Sequence, residues 1–205
     1  MKLIRKGAEA DLFVAEFAEV YFPWNDEKVL IKKRISKSYR APELDRELRV
    51  RRTIHEARLL HEAKQFVNTP AVYEVNAGEC TLVMEFIEGT RAKEGLTEAL
   101  ALKIGRNLAQ LHEGGIVHGD ITTSNILMRE GEVYFIAFGL GEFSPEVEPH
   151  AVDLHLLKQT LRSTHHNTWK RLWRKVIEGY RERKNAEEIV LRVKEIERRG
   201  RYVKR

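Results

Sequence analysis

The residues with the clearest chemistry lie in one stretch, Ile116-Val117-His118-Gly119-Asp120-Ile121-Thr122-Thr123-Ser124-Asn125-Ile126-Leu127-Met128. A carboxylate at Asp120 can orient an attacking oxygen, and an amide oxygen at Asn125 can hold a metal ion. Together they suit phosphoryl transfer, where catalysis is mostly positioning and charge stabilisation. His-x-Asp alone arises by chance. His-x-Asp followed by four residues and Asn, between two apolar runs, is far more restrictive. The bland alternative is a polar turn in a hairpin.

The elements that must hold this stretch are legible on either side. Thr97 is a plausible N-cap for a helix to Glu113. Leu100, Ile104, Leu108 and Leu111 form its buried stripe, and Gly114-Gly115 end it. After Asn125, strands 126–129 and 133–136 close around Glu130-Gly131. Further back, two β-like runs flank the small-residue turn Gly7-Ala8-Glu9-Ala10. Small residues let backbone N–H groups approach a phosphate, although an ordinary hairpin would read the same way. Lys28 to Lys33 reads as a third strand, with Leu30 and Lys32 on one face and Val29, Ile31 and Lys33 on the other. Glu43 to Lys64 reads as a helix with Leu44, Leu48, Ile54, Ala57 and Leu60 at apolar spacing. Strands 71–75 and 81–86 flank Asn76-Ala77-Gly78-Glu79. Asp153 to Leu157 opens a further helix, about a dozen residues after Gly141. Trp169, Leu172, Trp173, Val176 and Tyr180 mark the next, and Ile189, Val193 and Ile196 the last.

Bulk properties narrow the class. The chain of 205 residues is 42% hydrophobic, enough for one large domain or two small lobes with a core. One third is charged, a composition that suits surface ion-pair networks. Cys80 is the only cysteine, which excludes an internal disulfide and a cysteine-based zinc cluster. No signal peptide or membrane-length apolar run is apparent, so a cytoplasmic protein is expected. The net charge of +5 is uneven, with basic stretches at 34–58 and 198–205 and an acidic one at 142–148. Such basic stretches favour a polyanionic partner, against the alternative of a solvated surface.

Taken in order, Lys32, Glu56, Met84-Glu85-Phe86, His118-Gly119-Asp120…Asn125 and Ala137-Phe138-Gly139 resemble the motif set of a minimal protein kinase. That resemblance implies an α+β bilobal fold, with a small mostly β N-lobe at 1–87, a reduced mostly α C-lobe at 88–197 and a basic tail at 198–205. It implies ATP and magnesium as cofactors and Asp120 as the catalytic residue. The ATP-binding positions would be Gly7, Ala8, Glu9 and Ala10 of the first turn, Leu30 over adenine and Lys32 at the phosphates. Glu56 would pair with Lys32, with Glu47 as runner-up. Met84 would be the gatekeeper, and the backbone of Glu85, Phe86 and Ile87 the adenine-binding hinge. Asn125 would be a metal ligand. Ala137 stands 17 residues after Asp120, where a kinase carries the metal-binding Asp of Asp-Phe-Gly. Alanine has no oxygen to offer, and a bare methyl in an otherwise intact motif reads as a replaced aspartate.

A finer match covers essentially the whole chain. Arg51-Arg52-Thr53-Ile54-His55-Glu56-Ala57-Arg58, the His118 to Asn125 segment and Phe138-Gly139-Leu140-Gly141 resemble the small RIO-like kinase of the KEOPS complex. The size resembles an archaeal single-domain member. The resemblance implies ATP hydrolysis, with the ability to phosphorylate Ser or Thr, in support of tRNA threonylcarbamoyladenosine synthesis. It implies contact with the threonylcarbamoyl transferase subunit through the C-lobe and the tail residues Arg198, Arg199, Arg201, Tyr202, Lys204 and Arg205. A small tRNA-binding subunit would dock on the N-lobe, and tRNA would be met within the complex.

The chain also departs from the kinase pattern. Gly119 replaces the Arg that holds a phosphorylated activation loop in many kinases, and no long activation segment or Ala-Pro-Glu is present. Thr122 replaces a phosphate-steering Lys, which leaves water as a reasonable acceptor. Ala137 predicts low activity for this chain itself. Two other readings stay open, a nucleotide-binding scaffold without chemistry and a small-molecule phosphotransferase. The short C-lobe argues against the second.

Overall fold

A computed structural model describes residues 1–21 and 27–202, with side chains described through residue 199. The chain divides into two compact units, Met1–His61 with Pro70–Ile87 and Glu62–Thr69 with Glu88–Arg205.

The first unit is an antiparallel sheet with one long helix. Its elements are β1 (Lys2–Lys6), β2 (Ala10–Glu16), the short α1 (Phe17–Val20), β3 (Lys28–Arg34), α2 (Pro42–Ala63), β4 (Val72–Asn76) and β5 (Thr81–Glu85). The strand order is β1-β2-β3-β5-β4. β1 and β2 are joined by a tight turn in which the Gly7 N–H donates to the Ala10 carbonyl at 3.1 Å. A Cβ on Gly7 would lie 2.5 Å from that oxygen, so the turn needs glycine there. Val29, Ala15 and Val83 bury one face of the sheet, with Phe17, Val20, Tyr21 and Ile31 packed on them. Leu82 and Met84, opposite Lys32 and Leu30 in the register, are buried on the other face.

α2 buries Thr53, Glu56, Ala57, Leu60 and Ala63, spaced at three and four residues. The expected stripe is corrected here: Leu44 is 51% exposed and Ile54 is 48% exposed. Ile54 lies one residue from Thr53, about 100° around the helix, and so falls off the buried face.

The second unit is mostly helical. It contains β6 (Thr90–Arg91), α3 (Glu98–Glu113), β7 (Ile116–Val117), β8 (Ile126–Arg129), β9 (Glu132–Phe135), β10 (Glu142–Phe143), α4 (Val147–Thr164), α5 (Trp169–Tyr180) and α6 (Ala186–Tyr202). Thr97 caps α3, its Oγ1 accepting from the Leu100 N–H at 3.2 Å. α3 and α5 pack closely through glycines. A Cβ on Gly105 would come within 2.0 Å of the Val176 carbonyl, and one on Gly179 within 2.2 Å of the Leu102 carbonyl. β6, β8 and β9 form a small sheet, and β7 pairs with β10.

Three boundaries differ from those read in the sequence. Residues 62–69 belong with the second unit, not with an N-lobe running unbroken to 87. There the Asn68 carbonyl accepts from Phe135 N–H at 2.9 Å, and Phe66 packs on Gly114. α4 starts at Val147 rather than Asp153, because Pro149 sits in its first turn, where its missing N–H costs nothing. The stretch at 198–202, read as the start of a basic tail, continues α6. Lys204 and Arg205 lie outside the described residues, and the side chains of Arg201 and Tyr202 are not described. Among the described residues no helix is long and apolar enough to cross a membrane.

Candidate active site

In the first unit, Lys32 and Arg34 are two residues apart on β3 and so face the same side. Both reach the carboxylate of Glu56 on α2, Lys32 Nζ at 2.6 Å from Oε1 and Arg34 Nη2 at 2.7 Å from Oε2. The Glu56 side chain is 2% exposed, so the two cations are what make its charge tolerable there. Glu47, the alternative partner, is exposed on the same helix. Arg34 also donates to the Arg52 carbonyl at 3.3 Å. The Gly7 to Ala10 turn places Glu9 against Arg34 at 3.4 Å and against Arg52. Leu30 is half-buried opposite buried Met84 in the register. Glu85 ends β5, its side chain accepting from the Ala71 N–H at 3.0 Å, and Phe86 and Ile87 follow, with Ile87 buried.

In the second unit, Asp120 and Asn125 face each other across one loop. Asn125 Nδ2 donates to Asp120 Oδ2 at 2.7 Å and to the Asp120 carbonyl at 2.9 Å. Backbone bonds from Thr122 N–H to Asp120 O and from Asn125 N–H to Thr122 O close the turn between them. Asp120 and Asn125 are both partly exposed.

The loop is braced from below by Asp153 of α4. One of its carboxylate oxygens accepts from the His118 N–H at 2.7 Å, the other from the Gly119 N–H at 2.9 Å. His112 of α3 adds a third donor, Nε2 at 3.2 Å. His112 Nδ1 in turn accepts from the Tyr180 hydroxyl at 2.8 Å, and Tyr180 accepts from Arg183 at 3.0 Å. Burial opposes the charge on Asp153, but these donors outweigh it and hold its carboxyl below the usual range. Burial pushes His112 and His118 down, so both rings are neutral. His150, stacked on His112 at 4.3 Å, is pushed down to about 4 by burial and by its neighbours.

Gly119 has φ +77°, and a Cβ there would lie 2.0 Å from the Leu140 carbonyl. An arginine at this position would therefore require residue 140 to move. His118 Nε2 donates to the Ile136 carbonyl at 3.0 Å, and the ring packs on Phe138, centroids 4.4 Å apart. These contacts fix the strand that leads to Ala137.

Ala137 itself has φ +66°. That is left-handed backbone, where asparagine and aspartate are enriched and alanine is strained. The backbone at 137 thus has the conformation that an aspartate tolerates, without its carboxylate. Magnesium is usually held by one or two carboxylates with phosphates and water. Here Asn125 offers a neutral oxygen, Asp120 is engaged by Asn125, and Ala137 offers nothing. The residues present do not fit a well-held magnesium ion. Among the described residues there is also no group of three or more His, Cys, Asp or Glu that could hold a metal.

Sequence reasoning missed Arg34, Asp153 and His112. Arg34 sits at a strand end and reads as surface charge. The only signal for it was its two-residue spacing from Lys32. Asp153 and His112 lie far from His118 in the chain and carry no local motif.

The fold and these two clusters define a class. The RIO domain matches residues 24–154. The structure of a Rio2 kinase–ADP/Mg2+–phosphoaspartate complex from Chaetomium thermophilum is similar over the whole chain and 72% of that protein, with a TM-score of 0.65 and 14% identity. The chain belongs to the RIO domain family. Within it, the chain is 50% identical over 217 aligned residues to the KEOPS complex subunit Bud32 of Pyrococcus abyssi, covering all of this chain and 98% of that one. It is 45% identical to the "Probable serine/threonine-protein kinase BUD32 homolog" of Archaeoglobus fulgidus, over 87% of this chain and 91% of the relative. A "Probable bifunctional tRNA threonylcarbamoyladenosine biosynthesis protein" of Methanothermobacter thermautotrophicus is 42% identical, and this chain spans 36% of its length.

Proposed function

We propose that the chain is the nucleotide-binding RIO-type subunit of a KEOPS complex, serving tRNA threonylcarbamoyladenosine synthesis in the cytoplasm. In this reading Lys32, held by Glu56, contacts the nucleotide phosphates. Leu30, Met84 and the backbone of Glu85 to Ile87 receive the adenine, with the Gly7 to Ala10 turn beside the phosphates. Asp120 orients the attacking oxygen of water, or of a Ser or Thr hydroxyl. Asn125 holds Asp120 in place and offers its amide oxygen to a metal. Ala137 leaves the site without the carboxylate that would hold magnesium, which keeps turnover low.

The observation that carries this reading is the partly buried Lys32–Glu56 pair at 2.6 Å, in a chain half identical to a KEOPS subunit. The C-lobe, with Arg198 and Arg199 exposed on the last turns of α6, is the proposed contact for the transferase subunit. Arg201, Tyr202, Lys204 and Arg205 would extend it. The N-lobe would receive the small tRNA-binding subunit. Calorimetric titration with ATP tests the reading: saturable binding lost in Lys32→Met supports it, and unchanged binding by that variant contradicts it.

Ala137 favours one second reading, a nucleotide-binding scaffold without chemistry. A chain that binds ATP and joins the complex, but whose Ala137→Asp variant also fails to hydrolyse ATP, would be that scaffold.

A further inference from the structure

Beyond the Lys32–Glu56 pair, the first unit gathers an excess of positive charge at the start of α2. A small cleft is lined by Glu9, Arg34, Lys37, Arg40, Arg49 and Arg52. Of its acids, Glu9 bridges Arg34 and Arg52. Asp45 takes Arg49 at 2.7 Å, Arg40 at 3.6 Å and the Lys37 N–H at 3.2 Å. Glu56 is shared by Arg34 and Lys32. Among the described residues, Glu9, Asp45 and Glu56 thus face six cations, and the half-buried Lys37 ammonium has no carboxylate partner.

We propose that this cluster is a binding site for one phosphate-class oxyanion, distinct from the Lys32 phosphate contact of the nucleotide reading although Glu9 lies on the turn which that reading places beside the nucleotide phosphates. The chemistry is a tetrahedral anion accepting from the guanidinium forks of Arg34 and Arg52 and from Lys37. Arginine forks match phosphate oxygens in pairs, and the ammonium adds a point charge. The donors are already placed. Arg34 is 5% exposed and fixed by Glu56 and by the Arg52 carbonyl, and Asp45 fixes Arg49. Preorganised donors lose little freedom on binding.

Glu9 occupies the anion's position. Its carboxylate accepts from two guanidinia, as a bound phosphate would. Partial burial opposes its ionisation, but Arg52, Arg34 and Arg40 hold its carboxyl below the usual range. The enclosed space is about 10 Å³, room for about one water and not for a phosphate. The anion must therefore displace Glu9 from Arg34 and Arg52; its side chain, on the turn before β2, is 45% exposed. The ligand source is a free phosphate group or a phosphodiester of RNA.

The test is calorimetric titration of the full chain at constant ionic strength with two probes. One is inorganic phosphate, and the other is a pentauridylate with hydroxyl ends, which offers diesters only. Lys37→Ala and Arg52→Ala, both at partly exposed positions, should keep the melting temperature and weaken phosphate binding tenfold or more. Glu9→Gln should tighten it several-fold. Lys32→Met should leave it within about twofold, which separates this site from the proposed nucleotide site. Pentauridylate binding that weakens in the same two variants would support the site with RNA as its source. Phosphate binding alone would support it with a free phosphate group. No saturable binding of either probe overturns the proposal. So does phosphate binding lost in Lys32→Met but unchanged in Lys37→Ala and Arg52→Ala.

Discussion

The two units hold their functional residues by different means. In the first, charge holds charge: Glu56 is fixed by Lys32 and Arg34, and Glu9 by Arg34 and Arg52, through side chains that are in part exposed. In the second, one side chain holds backbone. The Asp153 carboxylate grips two successive amides, and Asp120 and Asn125 lie on the turn those amides begin. The first arrangement can rearrange when an anion arrives. The second presents a fixed loop whose geometry is set before any ligand binds. A nucleotide-handling protein needs both properties, adjustable contacts for phosphates and a rigid frame for the attacking oxygen.

The difference is sharpest in what each cluster loses when cut. Asp153→Ala would strand the His118 and Gly119 amides and His112 in a buried setting. Unfolding in urea should show a loss of about 3–5 kcal/mol, as for breaking a buried charged network. A loss below about 1 kcal/mol would show that the loop does not depend on this brace. Glu56→Gln keeps the shape and removes the charge, leaving Lys32 and Arg34 facing an amide. It should cost less, about 1–3 kcal/mol, and should weaken ATP binding as Lys32 loses its anchor. If Glu56→Gln proved the costlier of the two, the comparison would be reversed.

A pH titration of stability separates the units as well. His112, His118 and His150 are all depressed in the folded chain and sit around the Asp153 brace. The unfolded chain therefore binds more protons than the folded one below the ordinary histidine range. Stability from these groups is fully present above about pH 6.5 and is lost as pH falls toward about 4, the value for His150. The melting temperature should fall over that window. His150→Phe should flatten the fall, and an unchanged slope would remove His150 from this account.

Much of the first site was legible in the chain. The alternation of β3 put Lys32 on a defined face, and Glu56 bordered the apolar side of α2. The second site was legible only as a loop. Nothing near His118 announces Asp153, because a brace thirty-five residues away leaves no local pattern. The start of α4 was hidden by the acidic, proline-containing run 146–149, which reads as a connection and folds as a first turn. Gly119 read as a missing arginine. The structure gives the physical reason: positive φ and a carbonyl where a Cβ would stand. The basic end of the chain read as a loose tail, yet its first residues continue α6, which buries Ile189, Val190 and Val193.

The smallest expected effect on stability is at Ala137. Its left-handed backbone suits aspartate better than alanine, so Ala137→Asp should leave the melting temperature unchanged or slightly raised. A drop of several degrees would mean that the position was not shaped for a carboxylate.

The same substitution gives the most direct test of the central claim. Single-turnover ATP hydrolysis should be measured for this chain and for Ala137→Asp, each with the transferase subunit present. The account predicts near-absent hydrolysis by this chain and a rise of about a hundredfold or more in the variant, the scale expected of one transition-state charge contact. Adding Asp120→Asn to Ala137→Asp should abolish that gain while ATP still binds. Equal hydrolysis by this chain and by Ala137→Asp would contradict the assignment of Asp120, Asn125 and position 137 to one catalytic site.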